Sequence, residues 1–317
     1  VGCFSPLKGW KDAATGGITF KRAESAATRM EVACGQCLGC RLDYSRMWSM
    51  RIVHEASFLL ELGRDSSFVT LTYSDDQMPQ DWSLHKDHFQ RFMKRLRKAS
   101  AERIRFFHVG EYGSVCRHGR QADDCDFCSV GRPHYHAILF GKTFEDLEVY
   151  RTSEKRDFFT SKILQHIWGH GFVDVGDVTM QSAGYVARYC LKKVTGQNAP
   201  EWYENVDDDG VVHKMQQDYA TMSRRPGIGA DWLKKFSSDC FPSDEVPVPG
   251  VGVIPKVPRY YVGLFEKVDS FNESIVADMK EERKRWRFEN IGEFSAERLK
   301  SKYIVKKRQI ESLKREL

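Results

Sequence analysis

The chain has 317 residues, 41% of them apolar and 12% aromatic, and a net charge of +5. That much apolar material builds a real core and excludes a disordered chain. The length suits about two domains, or one large domain carrying insertions. No apolar run approaches a membrane span, and residues 1–30 carry no charged-then-apolar export pattern.

In chain order, residues 1–40 read as loop, with TGGITFKR the one hint of a strand. Residues 41–62 set Met47, Met50, Ile52, Val53, Ala56, Leu59 and Leu60 at helical spacing, which predicts a long amphipathic helix. SSFVTLTYS is β-branched and aromatic and ends on the turn signal SDDQMP, so a strand is expected there. LHKDHFQRFMKRLRKAS follows as a helix with Phe89, Phe92, Met93 and Leu96 as its apolar stripe, then RIRFFHVGEYG as a strand closing on glycine. A cysteine-rich insertion separates this strand from the next, in GRPHYHAILFG. KRDFFTSKILQHIWGHG reads as a glycine-stopped helix, FVDVGDVT as a short strand, and SAGYVARYCLKKVTG as another glycine-stopped helix. After Gly196 the pattern weakens. ENVDDDGVVH reads as a turn, MSRRPGIG as a loop and FPSDEVPVPGVGVIPKVP as a Pro/Gly-rich linker, before charged helix from about Asp269 onward. This order fits an α+β fold, a central antiparallel sheet with helices on one face. Dinucleotide and phosphate-loop motifs are absent.

Nine cysteines do not form a secreted disulfide framework here, because they cluster. Cys34, Cys37 and Cys40 lie in CGQCLGC, with Cys3 upstream; Cys116, Cys125 and Cys128 lie in CRHGRQADDCDFC, beside His118. Such C-x-x-C spacing, with no export signal, reads first as metal binding. Cys116, His118, Cys125 and Cys128 make one candidate structural Zn²⁺ set, and Cys3 with Cys34, Cys37 and Cys40 a second. The polar insertion has nothing apolar to pack, so a metal is its simplest source of rigidity. The alternative is a flexible loop with incidental thiols. Cys190 and Cys240 stand apart, as ordinary buried thiols would.

In a strand, residues i and i+2 share a face, so His134 and His136 point the same way. Two close imidazoles repel when protonated and work best neutral, around a cation. Alone, the pattern is equally that of ordinary strand histidines. Tyr185 and Tyr189 are four apart, so they stack on one helical face, with Lys192 and Lys193 a turn beyond. Alone, that spacing reads as core packing. Together with a metal that neutralises phosphate oxygens, a tyrosine can attack a phosphodiester. Glu111, ending the strand FFHVGEYG, is the best-placed third ligand, and two imidazoles with one carboxylate suit Mg²⁺ or Mn²⁺.

Charge is uneven. From Lys280 to Leu317 thirteen Lys/Arg stand against seven Glu. A second basic cluster, residues 91–105, holds Arg91, Lys94 and Arg95; Arg224 and Arg225 lie in MSRRPGIG. These five are candidate DNA contacts, although interspersed acids also suit a solvated helix face.

The ordered set FVTLTY, FFHVGEYG, RPHYHAILFG, YVARYCLKK resembles the HUH endonucleases, the replication initiators of rolling-circle replicons. CGQCLGCRLDYSRMWSMRIVHEA and MSRRPGIG sharpen this into a resemblance to the replication initiators of the Microviridae, in the gokushovirus branch, over roughly residues 1–240. The resemblance implies His134 and His136 as paired metal ligands, Tyr185 and Tyr189 as nucleophiles, and Lys192 and Lys193 as the lysines that follow. Glu111 matches a more variable third-ligand position. The implied activity is metal-dependent nicking and strand transfer at the phage origin through a 5′-phosphotyrosine, in the host bacterial cytoplasm, with host replication helicase and polymerase as partners. The cysteine insertion departs from the pattern, and strand pairing then requires it to fold outward. The expected organisation is an N-terminal cysteine segment (1–40), a nickase domain (41–240), and a linker with a charged helical region (241–317). Other readings are a relaxase or transposase, or a zinc-containing single-stranded nucleic-acid binder without catalysis. An iron–sulfur protein is less suited, lacking a nearby fourth cysteine in the CGQCLGC run.

Overall fold

The structure is a computed structural model describing residues 2–12, 15, 17–20, 26–125, 128, 130–153, 156–189, 203–206 and 209–313. The chain divides into two compact units, one of Val1–Met47 with Phe265–Leu317 and the other of Trp48–Leu264. No helix among the described residues is long and apolar enough to cross a membrane.

In the first unit, β1 (Leu7–Asp12), β2 (Ile18–Thr19) and β3 (Ala26–Val32) form a three-stranded antiparallel sheet. The sequence reading expects mostly loop here. These strands are short and mostly solvated, and the β1–β3 pair sets Lys8 opposite Glu31 rather than apolar against apolar. Two helices, Ser270–Glu289 and Ala296–Leu313, complete the unit. The first starts where Asp269 accepts a hydrogen bond from the Asn272 backbone N–H at 2.7 Å. The helix α1 (Leu38–Glu61) begins in this unit and ends in the other.

The second unit is built on a seven-stranded sheet. Its strands are β4 (Ser67–Tyr73), β5 (Arg105–Tyr112), β6 (Pro133–Phe140), β7 (Leu147–Ser153), β8 (Arg156–Ser161), β9 (Gly171–Asp177) and β12 (Tyr219–Met222), in the order β12-β5-β6-β4-β9-β8-β7 with every pair antiparallel. Between them run α2 (Lys86–Lys98), α3 (Lys162–Trp168) and α4 (Met180–Tyr189). Two hairpins, β10 (Glu204–Val206) with β11 (Val212–Lys214) and β13 (Glu245–Val248) with β14 (Gly252–Pro255), and the helices Ala230–Phe236 and Arg259–Phe265 complete it.

The α+β antiparallel sheet with flanking helices agrees with the sequence reading, but the helices occupy both faces rather than one. Alternation along the strands makes this possible. Val69, Leu71, Tyr73, Tyr135, Ala137, Leu139, Val173 and Val175 turn to one face and form the core with Phe89, Phe92, Met93 and Leu96 of α2 and Leu164, Ile167 and Trp168 of α3. On the other face, Trp48 of α1 packs on Phe107, and Tyr185 of α4 approaches Phe68 and His136.

KRDFFTSKILQHIWGHG is corrected by the structure: it is strand β8 and then the short helix α3, not one helix. Ser161 marks the switch, its hydroxyl accepting from the Leu164 N–H at 3.0 Å, and Gly169 ends the helix at φ 68°. The preceding β7 completes the sheet edge by pairing with β8. The insertion between Glu111 and His134 leaves the β5–β6 ladder intact, since Glu111 lies opposite His134 and Tyr112 opposite Pro133.

Candidate active site

Register decides what the histidine strand meets. Glu111 pairs with His134 and Val109 with His136, and paired residues project to the same face of a sheet. The three side chains therefore converge. Glu111 Oε1 lies 2.8 Å from His134 Nε2 and 2.9 Å from His136 Nε2. Glu111 is 1% exposed. Burial pushes its carboxyl up, but the hydrogen bonds from His134 and His136 outweigh it and hold the group down at about 2.

The outer nitrogens bear on what the cluster can bind. His134 Nδ1 lies 3.1 Å from the Arg132 carbonyl, which only accepts, so Nδ1 carries the proton. Only the protonated ring then donates from Nε2 to Glu111, while a neutral ring turns its Nε2 lone pair to that side, where a cation between the two would take it. His136 Nδ1 lies 2.9 Å from the Thr70 hydroxyl, which can donate or accept and so holds the second ring in place in either tautomer. A buried anion and two oriented imidazoles on one side form a facial donor set that fits a divalent cation and leaves positions for phosphate and water.

The Tyr185 ring centroid lies 5.3 Å from that of His136 and 6.2 Å from that of Phe68, edge-on to both. Tyr185 is 39% exposed. Tyr189 is the last described residue of α4. Lys192 and Lys193 lie outside the described residues, as does Cys190.

Both cysteine sets converge. In the first unit the sulfur separations are 3.6 Å for Cys3–Cys34, 3.8 Å for Cys3–Cys37 and 4.0 Å for Cys34–Cys40. Four sulfurs on Zn²⁺ bonds of about 2.3 Å stand about 3.8 Å apart at tetrahedral angles. Backbone N–H groups point at the sulfurs: Phe4 N lies 3.2 Å from Cys37 Sγ and Cys37 N lies 3.2 Å from Cys34 Sγ. Burial pushes the Cys37 thiol up, but the backbone N–H groups of Cys40 and Phe4, with its neighbouring thiols, outweigh this and bring it down to about 6. In the second unit, His118 Nδ1 lies 3.4 Å from Cys125 Sγ and 3.5 Å from Cys128 Sγ, and buried Cys116 completes the group. Cys240 is fully buried and isolated from both.

The candidate DNA contacts are scattered. Arg91, Lys94 and Arg95 are on α2, on the sheet face opposite Glu111, His134 and His136. Arg91 pairs with Asp87 at 2.9 Å. Arg95 donates to the Ile167 and Trp168 carbonyls, both at 2.7 Å, and so satisfies the C-terminal end of α3. Arg224 and Arg225 are exposed, near the Arg105 end of β5, roughly 20 Å along the strand from Glu111 by its rise per residue. Their loop is held from below. Arg103 and Arg105 donate to the Arg225 and Pro226 carbonyls at 2.8 and 2.7 Å, Arg51 to the Ile228 carbonyl at 3.0 Å, and Glu55 accepts from the Gly229 N–H at 2.7 Å.

Sequence reasoning passed over one further group. His85, Asp87 and His88 bring ligand atoms within 4.8 Å of one another, and the only sequence signal is H-x-D-H at a helix start.

A domain enclosing this geometry has known relatives. Residues 66–194 match the family model of the replication-associated protein ORF2/G2P, a span containing β4 to β9, Glu111, His134, His136 and α4. The chain is 34% identical over 263 residues to the replication-associated protein ORF2 of Spiroplasma virus 4, covering 79% of this chain and 73% of the relative. It is 28% identical over 276 residues to the replication-associated protein VP4 of Bdellovibrio phage phiMH2K, covering 84% and 77%. It is also 28% identical over 246 residues to the replication-associated protein ORF4 of Chlamydia phage 1, covering 75% of this chain and 54% of that one. No solved structure matches. The chain belongs to this family of phage replication-associated proteins, the gokushovirus-type replication initiators of the Microviridae.

Proposed function

We propose that the chain initiates rolling-circle replication by nicking single-stranded DNA at the phage origin, with Glu111, His134 and His136 holding Mg²⁺ or Mn²⁺ and Tyr185 and Tyr189 as nucleophiles. The observation that carries this reading is the meeting of Glu111 Oε1 with both imidazoles at 2.8 and 2.9 Å, on the face that Tyr185 overhangs. The cation would neutralise the non-bridging phosphate oxygens and ease departure of the 3′-oxygen. Tyr185 attacks phosphorus, the O3′–P bond breaks as the tyrosyl O–P bond forms, and the phenolic proton is matched by the one the departing 3′-oxygen takes up. The products are a 5′-phosphotyrosine and a 3′-hydroxyl that host polymerase extends, with host helicase opening the duplex in the bacterial cytoplasm. Tyr189, one helical turn on, then cleaves the regenerated origin, and the freed 3′-hydroxyl closes the circle on the first phosphotyrosine. Lys192 and Lys193 follow on the chain as phosphate partners. The two cysteine groups serve as structural Zn²⁺ sites, supported by separations close to those of tetrahedral thiolate zinc.

The test is incubation with supercoiled and single-stranded phage DNA plus Mn²⁺, followed by denaturing electrophoresis for a covalent protein–DNA adduct. Wild-type protein forms the adduct, each Tyr→Phe variant still cleaves once, and circle closure needs both tyrosines. Glu111→Gln lowers the rate at least ~100-fold. An adduct formed by the Tyr185→Phe/Tyr189→Phe double variant overturns the assignment.

A further inference from the structure

We propose that His85, Asp87 and His88 form a second divalent-cation site, on the sheet face opposite Glu111, His134 and His136 and at the same end of the sheet. The three side chains bring one ligand atom each within 4.8 Å of one another. His85 precedes α2, and Asp87 and His88 lie in its first turn, so a single helical turn presents all three.

The hydrogen bonds around the site determine which nitrogens are free to ligate. His85 Nε2 lies 3.0 Å from Asp81 Oδ1; a carboxylate accepts, so Nε2 carries the proton. The lone pair of a neutral His85 is then on Nδ1, the atom 3.9 Å from Asp87 Oδ1. A carboxylate behind a histidine in this way orients the ring and raises its basicity as a ligand.

His88 is set by a longer relay. The Tyr135 hydroxyl donates to the His85 carbonyl at 3.1 Å, and it accepts from the His85 backbone N–H at 2.9 Å. Having spent its proton, Tyr135 accepts from the Tyr73 hydroxyl at 2.7 Å. Tyr73, its own proton spent, accepts from His88 Nδ1 at 2.8 Å. His88 therefore presents its lone pair on Nε2.

Each imidazole thus has one nitrogen fixed as the donor by an acidic or buried partner and, when neutral, the other unprotonated, with Asp87 close by. Two imidazoles and a carboxylate are donors that divalent first-row cations take, Co²⁺ and Zn²⁺ among them. A bound ion joins the start of α2 to β4 and β6 through Tyr73 and Tyr135. Thr72, the residue before Tyr73, pairs with His134, so the second site rests on the same strand end as the first.

The test is equilibrium dialysis against Co²⁺ of full-length protein carrying two zinc equivalents per chain, enough to fill the cysteine groups alone, in a His136→Ala background that disables the nickase cluster. Histidine–carboxylate Co²⁺ gives weak visible bands without the near-ultraviolet thiolate charge transfer of cobalt in a cysteine site. The His136→Ala protein is expected to bind one such Co²⁺, and His136→Ala/His85→Ala none. Asp81→Asn in the same background, which leaves all three ligands in place, is expected to weaken Co²⁺ binding by ~10- to 100-fold. His85 is partly exposed, so its loss leaves the fold intact. Equal cobalt binding with and without His85, or no cobalt in the His136→Ala protein, overturns the proposal.

Discussion

His54 on α1 gives the sharpest test of the physical argument. The side chain is fully buried, stacked on Trp232 with ring centroids 3.6 Å apart and planes within 4°. Its Nε2 lies 3.0 Å from the Pro247 carbonyl, so Nε2 donates, and its Nδ1 accepts from the Tyr261 hydroxyl at 2.9 Å. Both nitrogens are satisfied in the neutral ring, and protonation would leave two donors facing each other. Burial accordingly lowers the pKa to about 4. Unfolded, the ring titrates near 6.5. The unfolded chain takes up the proton first, so this contribution is complete above pH ~6.5, falls as pH drops toward ~4, and is constant below. For those two values the loss between pH 7 and pH 5 is ~2 kcal/mol. Urea unfolding followed by circular dichroism on wild type and His54→Gln measures it. The variant is less stable at pH 7, and the gap narrows by ~2 kcal/mol at pH 5, since glutamine does not titrate. Parallel curves for the two proteins across this range would refute the reasoning.

Two other outcomes follow from local geometry. Cys125→Ser/Cys128→Ser removes one zinc equivalent by elemental analysis and lowers stability, because His118 and Cys116 alone cannot hold the ion; unchanged zinc content would leave the insertion an ordinary loop. Gly229 sits at φ +80°, and a Cβ there would lie 2.1 Å from the Tyr261 hydroxyl. Gly229→Ala should lower the stability in urea by ~1–3 kcal/mol, through strain and displacement of Tyr261, and an unchanged midpoint would contradict it.

Local pattern alone determined several features of this chain. The apolar spacing of residues 41–62 marked α1, observed as Leu38–Glu61, and the β-branched run FVTLTY marked β4. Alternation along a strand put His134 and His136 on one face before any partner was known. Close C-x-x-C spacing grouped Cys34 with Cys37 and Cys125 with Cys128, because such ligands are brought together by one turn of backbone. Local pattern also misled. RDFFTS, next to a good helix, reads as part of it, although its place is set by pairing with β7 across the sheet.

Everything that required chain segments to meet was decided by tertiary structure. Glu111 faces His134 only because β5 and β6 pair in that register across the whole cysteine insertion. Cys3 reaches Cys34 and Cys37 across thirty residues of chain. The basic stripe of α2 reads as a DNA-contact surface, yet it lies on the opposite sheet face, where Arg95 closes the end of α3. His88 reads as an ordinary helix residue in the sequence, and only Tyr73 and Tyr135, from two strands, fix its proton. Spacing along the chain governs which side chains share a face, because backbone geometry repeats. Which faces come together depends on long-range pairing and burial, whose free energy no short stretch of sequence contains.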